Sequence, residues 1–117
     1  MERSAYILSY GESDWKCIIK IDNTIVAQKI MKNVLAFYKM DKGVKTRTEI
    51  SKAFIRLIFP YIINISQYND VKEISEYLEG IQGFPKFDGT DGIQLISCDS
   101  WEFTTKGLFI DEFESEL

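Results

Sequence analysis

FPKFDGTDGIQLIS, residues 84–97, packs two glycines, two aspartates and a threonine between a proline–aromatic start and a strand-like finish. If it is a ligand loop, the chain is built around a site. If it is a tight turn, it is the point where the chain re-enters a sheet. Asp-Gly and Asp-x-x-Asp-Gly are what tight turns need, because Gly accepts positive φ and Asp bonds its own downstream backbone. The alternative is a calcium loop, which needs oxygen ligands at its positions 1, 3, 5 and 12. Counted from Asp88, those positions hold Thr90, Gly92 and Asp99, a poor ligand set. The expectation is a structural turn: Phe84 and Phe87 plug the edge of the core, Pro85 stiffens the approach, and Asp88, Gly89, Asp91 and Gly92 reverse the chain into a strand.

Upstream, AYILSY (5–10) and WKCIIKID (15–22) flank the turn residues GESD. In the second run Trp15, Cys17, Ile19 and Ile21 alternate with Lys16, Ile18 and Lys20, the period of a half-buried strand. The two runs read as a hairpin. Asp22 or Asn23 is placed to cap a helix running from Thr24 to about Lys39. Its stripe is Val26, Ile30, Val34 and Phe37, widened by Ala27, Met31, Leu35 and Tyr38, and Gly43 is a natural stop. Thr46-Arg47-Thr48-Glu49 fits a capping box. The helix it opens is apolar on nearly every side past Lys52 and reads as the central one, with Pro60 expected to kink or split it. Asn69 or Asp70 then starts a shorter helix striped by Val71, Ile74, Leu78 and Ile81. GIQLISCD and GLFIDEF read as two more strands, Phe103 extends the second, and residues 111–117 form an acidic, frayed tail.

The order β-β-α-α-α-β-β predicts an α+β domain spanning 1–117, an antiparallel sheet of about four strands with helices packed on one face. A length of 117 residues suits one domain, and 45% hydrophobic with 27% charged residues excludes wholesale disorder. No apolar run reaches the roughly 20 residues of a membrane span. The N-terminal stretch lacks the features of a secretory signal, so cytoplasmic residence and no membrane partner are the expectations.

Chemistry is sparsely supplied. The chain has no histidine, which removes the commonest general base and zinc ligand. Cys17 and Cys98 lie far apart in sequence without CxxC spacing and read as reduced, buried thiols. Carboxylate pairs such as Asp88 with Asp91 lack a nucleophile, phosphate loop or metal motif beside them. The reading is a non-enzyme with no cofactor and no metal.

Charge is distributed unevenly. Residues 16–56 carry ten Lys or Arg against three acids, and residues 70–117 carry twelve acids against three lysines, within a net charge of −4. Such asymmetry can mark a binding surface. The basic group Lys42, Lys45, Arg47, Lys52 and Arg56 surrounds the start of the second helix. Glu112 and Glu114 in the tail, and Trp101 in the SWEF loop, complete the candidate partner-binding set. Exposed loop aromatics of that kind anchor protein partners. The same basic helix end could meet phosphates, although an acidic chain without a recognised module argues for a solvated helix end.

Gly83-Phe84-Pro85-Lys86-Phe87-Asp88-Gly89-Thr90-Asp91-Gly92-Ile93 resembles a Gly-Trp-Pro-x-Leu-Asp-Gly-Ser-x-Gly-Ile motif of a small uncharacterised family of phage, prophage and plasmid proteins. Ile21-Asp22 before a helix ending near Phe37-Tyr38 matches a second, less distinctive feature. Phe84, Phe87 and Thr90 replace Trp, Leu and Ser, so character is kept rather than identity. The resemblance implies a stand-alone αβ domain of mobile-element origin. By analogy, small proteins of that origin bind and block host proteins, including defence complexes, as anti-CRISPR inhibitors do. The leading expectation is a host-protein binder acting by occlusion. The alternatives are a nucleic-acid-associated accessory protein using the basic helix end, and an immunity or antitoxin protein.

Overall fold

The computed structural model describes residues 3–10, 15–66, 70–99 and 108–115. Four strands and three helices follow in the order β1 (Arg3–Tyr10), β2 (Lys16–Asp22), α1 (Ile25–Phe37), α2 (Arg47–Ser66), α3 (Val71–Glu79), β3 (Ile93–Cys98) and β4 (Leu108–Ser115). The strands form one antiparallel sheet ordered β3-β2-β1-β4, so the hairpin is central and both C-terminal strands are edges. The α+β order and the antiparallel sheet are those expected from the sequence.

Alternation explains the layering. Tyr6 and Leu8 of β1, Cys17, Ile19 and Ile21 of β2, and Ile93 and Leu95 of β3 fall on one face by register and are all buried. They join Met31, Val34 and Leu35 of α1, Phe54, Ile58 and Ile62 of α2, and Ile74 and Leu78 of α3 in a single apolar core. The helices therefore cover that face of the sheet.

Local signals decided most helix ends. Thr46 Oγ accepts from the Glu49 N–H at 3.1 Å, while the Glu49 carboxylate accepts from the Thr46 N–H at 2.8 Å, a complete capping box. Asp70 and Glu73 make the same reciprocal pair at α3.

Elsewhere the expectations need correction. The cap of α1 is Thr24, whose side chain accepts from the Ala27 N–H, and not Asp22 or Asn23. The buried stripe of α1 is Ala27, Met31, Val34 and Leu35, leaving Val26 and Phe37 exposed. This helix ends before Gly43: Lys39 takes φ +58°, and the Met40 N–H reaches back to the Leu35 carbonyl at 2.7 Å. That is a Schellman closure with lysine in the glycine position. Pro60 neither splits nor ends α2, which runs 20 residues through it. Residues 111–115 are not frayed, because they pair with β1 from Arg3↔Ser115 to Ile7↔Asp111. Phe103 lies outside the described residues.

The 84–97 stretch is a turn with internal bonding. Asp88 Oδ1 accepts from the Thr90 N–H at 2.9 Å, Asp91 Oδ2 from the Lys86 N–H at 2.8 Å, and the Gly89 N–H donates to the Ile93 carbonyl at 2.9 Å. Gly89 and Gly92 hold φ of +97° and +81°. The Gly92 carbonyl accepts from the Asp22 N–H at 2.8 Å, and a Cβ at Gly92 would stand 3.0 Å from Ala27 Cβ. The turn thus lies against the start of α1, where only hydrogen fits. Gly89→Val should cost over ~1 kcal/mol from φ alone and Gly92→Val more, because there it also meets Ala27. Asp88→Asn keeps an Asx-turn acceptor and should change stability by under ~0.5 kcal/mol. Urea denaturation of the three variants measures this; equal tolerance at all three positions would refute the assignment.

Candidate functional site

The acidic and basic residues singled out by the sequence divide into two groups, one spent inside the fold and one left at the surface. Arg47 and Glu112 belong to the first. Glu112 stands opposite Tyr6 in the β1–β4 register, and Arg47 begins α2. Arg47 Nη1 lies 3.0 Å from Glu112 Oε2, and the Tyr6 hydroxyl donates to the same oxygen at 3.0 Å. The same guanidinium nitrogen donates to Asn23 Oδ1 at 2.9 Å and to Ser4 Oγ at 3.3 Å. Burial works against ionising Glu112, but hydrogen bonds from Ser4, Arg47 and Tyr6 outweigh it and hold the carboxyl below its usual range. Burial and the Glu112 carboxylate push the Tyr6 phenol up. Burial disfavours the Arg47 cation too, yet Glu112 raises its pKa further. The pair, placed by sequence among partner-binding residues, instead ties β4 to α2. Glu114 pairs through its backbone with Ser4, and Trp101 lies outside the described residues.

The second group is at the surface. Lys42, Lys45 and Arg56 are exposed and Lys52 is half-buried. Lys45 sits in a concavity. A cleft of about 360 Å³ runs between α1 and the start of α2, lined by Ile25, Lys29, Lys32, Asn33, Lys45 and Ile50. Lys29 and Lys32 are one helical turn apart on α1, so the helix repeat aligns them toward Lys45. Among the described residues no ion pair engages these three lysines.

The far side of α1 borders a second cleft of about 290 Å³ against the turn, lined by Ile30, Phe37, Gly83, Phe84 and Pro85. Asn33 lines both, so the outer surface of α1 is a ridge between two grooves. That ridge is apolar where a solvated helix would be polar: Ile25 is 84% exposed, Val26 68% and Phe37 55%. Sequence reasoning assigned Val26 and Phe37 to the core and did not single out Ile25, Lys29 or Lys32. Apolar residues run around most of α1, so periodicity alone admits more than one inward stripe, and packing against the core selects Ala27, Met31, Val34 and Leu35.

A third cavity of about 530 Å³ lies between α3 and β3, with Lys72, Glu76, Glu79, Phe87, Asp88 and Leu95 in its lining. Glu79 is already committed there, its carboxylate accepting from the Phe87 N–H at 3.1 Å. Asp88 is held in the turn, and its carboxyl is lowered by the Thr90 hydrogen bonds. Among the described residues no three His, Cys, Asp or Glu side chains converge to hold a metal ion, and no helix is long and apolar enough to cross a membrane.

Compared with protein-family models, curated proteins and solved structures, the chain finds no match.

Proposed function

We propose that the chain is a protein-binding module whose docking face is the outer surface of α1 together with the start of α2, and whose partner presents an acidic surface with apolar side chains. The observation that carries this is the ridge itself: Ile25 and Val26 are mostly exposed beside Lys29, Lys32 and Lys45. Apolar anchors rimmed by like charges suit an interface in which the anchors supply affinity and the lysines supply orientation and encounter rate. Occlusion of a host protein, the role drawn from the mobile-element resemblance, follows if that partner's own working surface is the acidic one.

Phosphate binding at the start of α2 is the weaker reading. The Glu49 carboxylate already accepts from the Lys45 and Thr46 N–H groups, so the place a phosphate would take at the helix end holds an anion. Those hydrogen bonds keep the Glu49 carboxyl below its usual range and therefore charged.

The test uses two variants, Ile25→Asp and Lys29→Glu/Lys45→Glu, alongside the parent chain. All three are used as bait in nuclease-treated bacterial lysate, and the captured partner is then purified and titrated by calorimetry. The expected result is a partner held by the parent and weakened at least about tenfold by each variant, a loss of roughly 1.4 kcal/mol. A partner bound equally by all three would place the interface elsewhere. Retention only without nuclease, with a steep salt dependence, would replace the proposal by the nucleic-acid reading.

A further inference from the structure

Cys17 and Cys98 are 81 positions apart in sequence but face each other across β2 and β3. The register brings them together through an irregularity. From Ile21↔Ile93 to Ile19↔Leu95 the pairing is regular, and then Ile18 pairs with Ser97, leaving Ile96 as an extra residue. Without that bulge Ser97 would stand opposite Cys17. With it, Cys98 does.

The type of pair matters as much as its register. The Asp99 N–H donates to the Lys16 carbonyl at 2.9 Å, which makes 16/99 a hydrogen-bonding position and 17/98 the non-hydrogen-bonded position next to it. At such positions Cα atoms are about 4.5 Å apart and side chains are closest. A disulfide spans Cα separations of roughly 4.4–6.8 Å. The Cys98 thiol, which donates to the Asp99 carbonyl at 3.6 Å, and then burial hold the Cys17 thiol well above its usual pKa. Both cysteines are reduced, Cys17 fully buried and Cys98 half-buried. Cys98 is therefore partly open to solvent, and Cys17 is closed off from it.

We propose that Cys17 and Cys98 form a reversible intramolecular disulfide by exchange with a low-molecular-weight disulfide, locking the β3 edge to the centre of the sheet. Cys98, as thiolate, attacks one sulfur of the external disulfide, and one equivalent of small thiol leaves. Cys17 then attacks Cys98 Sγ in the mixed disulfide, and the second small thiol leaves. The two protein thiols lose two electrons and two protons, and the external disulfide is reduced to two thiols. The second step is favoured because the register holds Cys17 beside Cys98. The lock sits beside the bulge, and next to it the Trp15 indole donates to the Asp99 carbonyl at 2.7 Å, so oxidation would pin the most irregular part of the β2–β3 ladder.

The full chain is incubated with oxidised glutathione, digested without reduction and mapped by mass spectrometry. The expected product is a monomer whose Cys17 and Cys98 peptides are joined, with a raised Tm that returns to its starting value after dithiothreitol. Cys17→Ser should stop at a glutathione adduct on Cys98, and Cys98→Ser should leave Cys17 unmodified until the protein is unfolded. A stable glutathione adduct on Cys98 in the parent chain, a disulfide-linked dimer, or two thiols unchanged after the incubation that modifies Cys98 in Cys17→Ser would each overturn the proposal. So would modification of Cys17 in folded Cys98→Ser, because it would show that Cys17 is reached independently.

Discussion

Phe87→Ala should destabilise the protein by about 3–5 kcal/mol, whereas Phe84→Ala, three residues earlier, should cost roughly 1–2 kcal/mol. Phe87 is 1% exposed, and its ring stacks on Phe54 of α2 with centroids 6.1 Å apart and planes 18° from parallel. Its backbone is bound on both sides, the N–H to Glu79 of α3 at 3.1 Å and the carbonyl to the Leu95 N–H of β3 at 3.1 Å. Those bonds survive truncation to alanine. The three elements would therefore stay fixed around the vacated ring, and a cavity that cannot collapse carries the full cost. Phe84 is only half-buried and meets Tyr38, Tyr61 and Phe87 at its edges, so water can fill what its removal opens. Guanidinium denaturation at constant m-value measures both variants. Equal costs would mean that Phe84, not Phe87, closes the core.

The sequence showed the fold wherever the deciding interaction was local. Thr46 with Glu49 and Asp70 with Glu73 are each four-residue devices, complete within one helical turn, and the strand alternation of Trp15–Ile21 is equally self-contained. What stayed hidden depended on contacts between distant segments. Asn23 could cap α1 as readily as Thr24 by residue type, but its amide is taken by Arg47 and Ser4, which no local pattern reveals. The acidic run from Asp111 reads as a solvated tail because its apolar content is low. It is a strand because β1 offers a ladder along its length and Arg47 supplies a counter-charge for Glu112. Likewise, regular alternation from Ile93 places Ser97 rather than Cys98 on the core face, and only the extra residue in the β2–β3 pairing reverses that. The candidate docking ridge was missed because α1 carries apolar residues on more than one side, and only packing against the distant elements of the core decides which of them face inward.

The Arg47–Glu112 pair gives the second large effect, and its sign with pH follows from which partner titrates. Glu112 has a folded-state pKa below its unfolded value, so it contributes stability above the unfolded value of about 4.3, lost as pH falls through the lower folded value. Arg47→Ala should cost about 2 kcal/mol at neutral pH. That is less than for a fully buried pair, because the two side chains keep 32% and 20% of their surface. Glu112 would then lose its counter-charge while still accepting from Tyr6. Glu112→Gln keeps an acceptor for the Tyr6 hydroxyl and should cost nearer ~1 kcal/mol. The difference between parent and Glu112→Gln should shrink as pH falls below the unfolded value of about 4.3 and through the lower folded value, as the parent carboxyl is itself protonated. Removing both charges in Arg47→Ala/Glu112→Gln should cost less than the two single changes combined, by about 1 kcal/mol, because no charge is left stranded. Urea unfolding of the four proteins at pH 7 and pH 3 closes the cycle. Strict additivity, or a Glu112→Gln difference unchanged by pH, would mean that β4 is held by its backbone ladder alone and that the ion pair is incidental to it.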